Sequence, residues 1–443
     1  MDARDSDLRS SESLLVDELM DTWPILDDEE RLEGFRLLAR EEAEDLFLAL
    51  DSPDQVALLR ALPSRERQIW LRQLPPDDAA DFLQLLPGEE RDGFLALIDA
   101  ETRREVTALM AYAEDEAGGL MSPRYARLRP EMRVDEAISY LRRQARERLE
   151  TIYYLYVLDA EQRLLGVVSF RELFAAPPDK TVRDVMHTDV VTVPDDMDQE
   201  AVSDVIAQHD LMAVPVLDAG GRIKGIVTID DIVDVVREEA TEDIQKIGGT
   251  EALDAPYLQV SVLEMVRKRV GWLSVLFVGS LLTATVISYF ENQIAKAVVL
   301  ALFIPLIISS GGNSGSQATT LVIRALALGE VRPRDWIRVL WREVRAGLLL
   351  GVILGAIGFA RVLLLPPGDS AAPAALIAGV VGASLLGIVL WGSLVGAMLP
   401  FLLSRLGFDP ASASAPFVAT LVDVTGLVIY FSVATLFLRG SLL

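Results

Sequence analysis

The chain has 443 residues, no cysteine, and 41 Lys plus Arg against 66 Asp plus Glu, a formal net charge of -25. That length exceeds one ordinary domain, and the missing thiols exclude a disulfide framework, a thiolate metal site and a cysteine nucleophile. So acidic a chain is repelled by nucleic-acid phosphates, which excludes a nucleic-acid partner and leaves cations and basic proteins as natural ones.

The charge is unevenly spread. The first 255 residues carry 28 Lys/Arg and 58 Asp/Glu, while the rest carry 13 and 8, so an acidic half precedes a mildly basic, apolar one. Met1 to Leu50 is charged throughout and lacks the apolar core of a secretory signal, so residues 1–255 are expected in the cytoplasm. Residues 1–118 read as an acidic helical superhelix. Ala61-Leu62-Pro63, Gln73-Leu74-Pro75 and Leu85-Leu86-Pro87 recur every twelve residues, each unit a short helix with Pro starting the next turn. Those motifs name no chemistry, and the region reads as a charged docking domain.

An internal repeat of about 60 residues follows. Val157-Leu158-Asp159-Ala160 and Leu164 to Ser169 return as Val216-Leu217-Asp218-Ala219 and Ile223 to Thr228, each copy giving two short strands and a helix. The copies occupy 119–182 and 183–238. They resemble a pair of CBS domains, a ligand-sensing α/β unit. In nucleotide-binding members a Thr-x-x-Asp after the last strand grips a ribose, which the resemblance maps to Thr228 and Asp231, with ATP as the candidate ligand. Residues 239–270 are expected to form a connecting plug helix ahead of the membrane half.

Five apolar runs, roughly Gly271 to Phe290, Ala297 to Leu328, Ala346 to Leu365, Ala374 to Ser404 and Ala411 to Leu438, are long enough to cross a bilayer. Arg267, Lys268 and Arg269 before the first run, and six arginines between Arg324 and Arg345, place those segments in the cytoplasm, with the C-terminus outside. Ser309 to Gln317 is rich in Ser and Gly. It reads equally as close helix packing or as pore lining. Asp423, the acidic residue far from any span end, costs roughly 2.5–3.5 kcal/mol at mid-bilayer and so needs a partner or an aqueous path. Arg361 is the nearest basic residue in kind, but its place near a span end lets it snorkel outward. One carboxylate per chain suits a hydrated Mg²⁺ on a symmetry axis shared with a second copy.

In this order, the acidic superhelix, Glu114 to Met121, two CBS copies, Ala240 to Ile244 and five spans resemble the MgtE family of magnesium channels. The most specific stretches are Gly311 to Gln317 and Asp409 to Gly426. The fold implied is multidomain α and α+β, ending in a five-helix all-α transmembrane pore domain over 271–443. The resemblance implies a homodimer in the cell (inner) membrane that imports Mg²⁺ and is shut when cytosolic Mg²⁺ binds. It assigns the pore to Asp423, Gly312 and Gly426, and regulatory Mg²⁺ to Asp218, Asp230, Glu251, Asp254, Asp115 and Asp231. Ser316 and Ala415 stand where the family commonly carries amides. Rival readings are a proton-coupled divalent cation carrier and a membrane-anchored CBS nucleotide sensor. No Gly-rich phosphate loop or hydrolase spacing occurs, and His187 and His209 form no catalytic constellation, so no enzyme activity is expected.

Overall fold

The computed structural model describes residues 16–145, 149–253, 257–258, 260–296, 298–366 and 373–438. The chain divides into two compact units, Met1–Glu239 and Ala240–Leu443.

After helical residues 16–22 and a 3₁₀ turn, Trp23–Ile25, the first unit runs through short helices α1 (Asp28–Leu37), α2 (Arg40–Ala49), α3 (Ser52–Ala61), α4 (Ser64–Leu71), α5 (Pro76–Gln84), α6 (Gly88–Leu95) and α7 (Ala100–Leu109). Carboxylates start several of them. Asp27 accepts from the backbone N–H of Glu29 and Glu30 while Glu30 reaches back to the Asp27 N–H, and Asp99 caps Glu101 and Thr102. Pro63, Pro75 and Pro87 sit one place earlier than the repeat suggests. They are N-caps with ψ of 148°, 159° and 147°, because a proline fits the extended entry to a helix, where no backbone N–H is required. Alternate helices stack, α1 on α3, α3 on α5 and α5 on α7, which gives the superhelix. Its core is a column of buried leucines and phenylalanines including Leu46, Phe47, Leu59, Leu71 and Leu83.

Two three-stranded sheets follow. In the first, β1 (Tyr125–Leu128) pairs parallel with β2 (Thr151–Leu158), which pairs antiparallel with β3 (Leu164–Ser169). The second, β4 (Val193–Pro194), β5 (Ala213–Leu217) and β6 (Ile223–Thr228), repeats that order. Even the irregularities correspond. A register shift at Val157/Leu158 recurs at Val216/Leu217, and Leu158 opposes Leu164 as Leu217 opposes Ile223. The copies share a core of Tyr156, Leu158, Ala213, Ile223 and Ile226, so neither buries its apolar face alone. Helix α8 (Ile229–Ile247) leaves the second copy.

Among its described residues the second unit has five helices long and apolar enough to cross a membrane: Val262–Tyr289, Val298–Ala327, Pro333–Leu364, Ala374–Arg405 and Ala415–Leu438, numbered here as spans one to five. The segment 239–270 is not one helix. It is helical to Ile247, turns at Gly248 and Gly249, the latter with φ +76°, and becomes helical again at Val262, where the amphipathic lead-in is continuous with span one. Span two opens with a 3₁₀ turn, Val298–Phe303, and then runs unbroken from Ile304 through its Ser/Gly stretch to Ala327. Small residues set the helix spacing. Gly347, Gly351, Gly355 and Gly358 recur along the buried side of span three, and a side chain at Gly351 would lie 2.9 Å from the Leu386 carbonyl oxygen of span four.

Candidate ion path and acidic cluster

The Ser/Gly stretch of span two does two jobs on two faces. Gly311 and Gly315 are packed: a Cβ at Gly315 would lie 2.8 Å from Val418 and 3.1 Å from the Gly392 carbonyl oxygen, and Gly392 and Gly396 in turn abut the backbone of Gly311 and Gly315. Buried hydroxyls tie the same face, with Ser314 Oγ 2.7 Å from Ser393 Oγ and Thr319 Oγ1 donating to the Gly396 carbonyl at 2.7 Å. The other face carries Ser309, Asn313 and Gln317, one turn apart and exposed in the single chain. Amides exposed on an apolar helix do not face hydrocarbon, so this stripe belongs against water or protein.

Gly312 lies between the faces, where a Cβ would stand 3.3 Å from Asp423 Oδ1. Asp423 is half-buried and makes no hydrogen bond or ion pair among the described residues. Arg361 offers nothing, since its Nη1 donates to the Leu365 carbonyl at 2.8 Å at the end of its own helix. Gly426 is buried on the face that meets Ile388 of span four, where a Cβ would have 3.5 Å to Ile388 Cγ2. Ser316, one of the two departures, donates through Oγ to the Ala415 carbonyl at 3.1 Å and so pins span two to the start of span five.

In the first unit, folding gathers carboxylates that the sequence keeps apart. Asp77, Asp78 and Asp81 lie on α5, Asp230, Asp231 and Asp234 on the first turns of α8, and Glu150 just before β2. Burial, then repulsion from Glu150, Asp230 and Asp234, pushes Asp78 up to about 6. Burial, followed by repulsion from Asp78, Glu114, Asp231 and Glu238, takes Asp81 to about 7. Asp231 also reaches about 7, burial and the neighbouring Asp230, Asp78 and Glu150 outweighing a hydrogen bond from Thr228. Asp77 is driven well above the carboxylate range by burial and then by Glu150, Asp231 and Asp78, and its Oδ1 is buried without a hydrogen-bond partner. No basic side chain contributes to these four shifts. Among the described residues no three carboxylate or imidazole groups converge tightly enough to hold a bare metal ion.

Of the residues singled out from sequence, Asp230 and Asp231 fall in this cluster. Asp218 does not: its Oδ1 accepts from the N–H of Gly220 at 2.8 Å and of Arg222 at 2.9 Å, a turn repeated by Asp159 in the first copy. Asp115 is exposed in a loop, with its carbonyl accepting from Gln199 N. Glu251 is exposed in the second unit, and Asp254 lies outside the described residues. Thr228 Oγ1 donates to Asp231 Oδ2 at 2.6 Å, and Ser169 and Glu172 form the same helix-starting pair, so a ribose at Thr228 would compete with a helix cap. Sequence reasoning missed Asp77, Asp78 and Asp81. Asp77 and Asp78 were signalled only by the acidic first turn after Pro75 and Pro76, which ordinary helix starts also carry, and Asp81, one turn further on, by nothing beyond its charge.

The divalent cation transporter family MgtE matches residues 304–433, the MgtE intracellular N domain residues 15–115, and the CBS domain residues 117–179 and 182–238. The chain is similar to the magnesium transporter MgtE of Thermus thermophilus, 46% identical over 342 residues that cover 76% of this chain and 73% of that protein. It is likewise similar to the magnesium transporter MgtE of Enterococcus faecalis, 34% identical over 335 residues, covering 76% and 72%. Among solved structures it is similar to the cytosolic domain of the Mg²⁺ channel MgtE in complex with ATP, at 39% identity and TM-score 0.48 over 52% of this chain and 96% of that one. Its helical N-terminal region, its paired CBS repeats and most of spans two to five fall within the matched models in that order, and the chain belongs to the MgtE family of magnesium transporters.

Proposed function

We propose that the protein is a homodimeric channel that admits Mg²⁺ down the membrane potential and closes when cytosolic Mg²⁺ binds its acidic half. The observation that carries this reading is Asp423, an intramembrane carboxylate with no ion-pair partner among the described residues, set against Gly312. An ion that dehydrates reluctantly is held through its water shell, which a carboxylate and nearby backbone oxygens can do without stripping it. The exposed amide stripe of span two supports a second copy, because it gains a wet or protein-lined surface only when another chain closes the path. Positive-inside bias supports a cytosolic N-terminus, a cytosolic arginine-rich connection and an external C-terminus.

Gating follows from the acidic cluster. Carboxylates that repel one another keep α5 and α8 under strain until divalent ions neutralise them, so Mg²⁺ favours the compact cytosolic form. By linkage, whatever compacts that form also depresses the open population if the two are coupled. Mg²⁺ flux into liposomes containing the purified wild type, Asp423→Ala and Asp423→Asn tests the pore. Flux by the wild type that both well-folded variants lose supports it, and undiminished flux in either removes Asp423 from conduction.

A further inference from the structure

The connection between spans two and three and the first turns of span three hold a cavity that neither conduction nor the acidic cluster uses. It measures about 540 Å³, and its lining includes Glu330, Asp335, Arg338, Val339, Arg342 and Arg345. Arg338, Arg342 and Arg345 recur at four and then three residues, so they share one face of the helix over about 10 Å of rise. That spread approximates one headgroup layer, roughly 5–8 Å thick on each side of the hydrocarbon. Most of their N–H donors are uncommitted among the described residues, while Glu343 lies within electrostatic reach of Arg342. Arg338 meets Asp335 at 3.2 Å, Arg345 uses only Nε, donating to the Trp341 carbonyl at 3.0 Å, and Arg342 has no hydrogen bond or ion pair among the described residues. Asp335 is itself occupied, its Oδ2 accepting from the Arg332 N–H.

The surroundings say which anion fits. Trp336 and Trp341 are exposed on the same turns, and the helix continues at once into exposed Leu348, Leu349 and Leu350. Indoles beside arginines at the edge of an apolar face mark the headgroup level of a bilayer. A phosphate in the cavity would therefore have acyl chains lying along span three. We propose that this cavity binds the phosphate headgroup of an anionic phospholipid, held by Arg338, Arg342 and Arg345 as forked donors. Guanidinium groups suit phosphate because paired N–H donors match its oxygens. The site requires only that the spans cross a bilayer, and it is independent of the conduction and gating proposed above.

The test uses the full chain in neutral detergent, titrated with phosphatidylglycerol, phosphatidylcholine or inorganic phosphate, with bound lipid counted by native mass spectrometry and thermal unfolding followed in parallel. At roughly 1 kcal/mol per arginine near a headgroup, Arg338→Gln, Arg342→Gln and Arg345→Gln together weaken phosphatidylglycerol binding about 100-fold. The Arg332→Gln, Arg334→Gln pair, whose residues lie outside the cavity lining, leaves it near wild type, and the triple Arg→Lys variant retains part of it. Equal stabilisation by phosphatidylcholine, or undiminished phosphatidylglycerol binding in a folded triple Gln variant, overturns the proposal. Inorganic phosphate that matches the lipid and is lost in the same variant would replace it with a soluble-phosphate site.

Discussion

In span two a single glycine, Gly312, lies between the packed face and the proposed ion path. A methyl group at Gly312 would stand 3.3 Å from Asp423 Oδ1 and 3.4 Å from the Ala419 Cβ, which small adjustments absorb. Gly312→Ala should therefore melt near the wild type while its Mg²⁺ flux falls several-fold, because the added methyl occupies the approach to the carboxylate. At Gly396 the added methyl meets the Gly315 carbonyl, backbone that cannot rotate aside. Gly396→Ala should cost about 2 kcal/mol through overpacking, read as a lowered melting temperature in detergent. Flux loss without destabilisation at Gly396, or destabilisation without flux loss at Gly312, would reverse the two assignments.

At the scale of elements, the end of α8 and the turn after it are fastened within the second unit, to the start of span five by a charge and to span one by an aromatic contact. Lys246 Nζ lies 2.7 Å from Asp409 Oδ2 and also contacts Glu242, and Asp409 caps the 3₁₀ turn that precedes span five. Burial works against the ammonium, but the hydrogen bonds it donates to Asp409 and Glu242 outweigh it and hold its pKa above the lysine range. Beyond it Gly249, at φ +76°, fits against Trp272, whose Nε1 donates to Ser414 Oγ at 3.0 Å. Lys246→Gln should loosen the end of α8 at a cost of roughly 1 kcal/mol or less, since the pair is part-exposed. Faster amide hydrogen exchange over residues 244–250, with exchange in the spans unchanged, is the expected result, and unchanged exchange at 244–250 would deny the ion pair a fastening role. None of this was visible in the sequence, where Lys246 and Asp409 are 163 residues apart. The repeat and the five spans were visible, because strand alternation and apolar length are local properties that tertiary packing merely uses. Asp423 was also legible, since a lone carboxylate in an apolar run is conspicuous whatever surrounds it. The partners of Asp78 and Asp81 were not, for one is an ordinary helix-start carboxylate and the other a mid-helix one until folding brings the first turns of α8 near α5.

Across the whole molecule, the proposed gating makes the acidic cluster a link between proton and Mg²⁺ concentration and compaction of the first unit. Asp78, Asp81 and Asp231 have folded pKa values of about 6, about 7 and about 7, above their unfolded value near 4. Between those limits the folded form binds more protons than the unfolded one, so its stability falls as pH rises from about 4 through about 7, and the penalty is complete only above that. A divalent ion needs the ionised carboxylates, so it restores most where the penalty is greatest. Limited proteolysis of the full chain should accordingly cut the first unit faster at roughly pH 8 than at roughly pH 5 without Mg²⁺. Millimolar Mg²⁺ should protect it strongly at the higher pH and little at the lower. Asp78→Asn with Asp81→Asn removes two of the repelling charges, so this variant should resist cleavage at the higher pH without Mg²⁺ and gain little when it is added. Equal protection by Mg²⁺ at both pH values, or a variant that still responds like the wild type, would detach these carboxylates from gating and leave the pore at Asp423 to stand by itself.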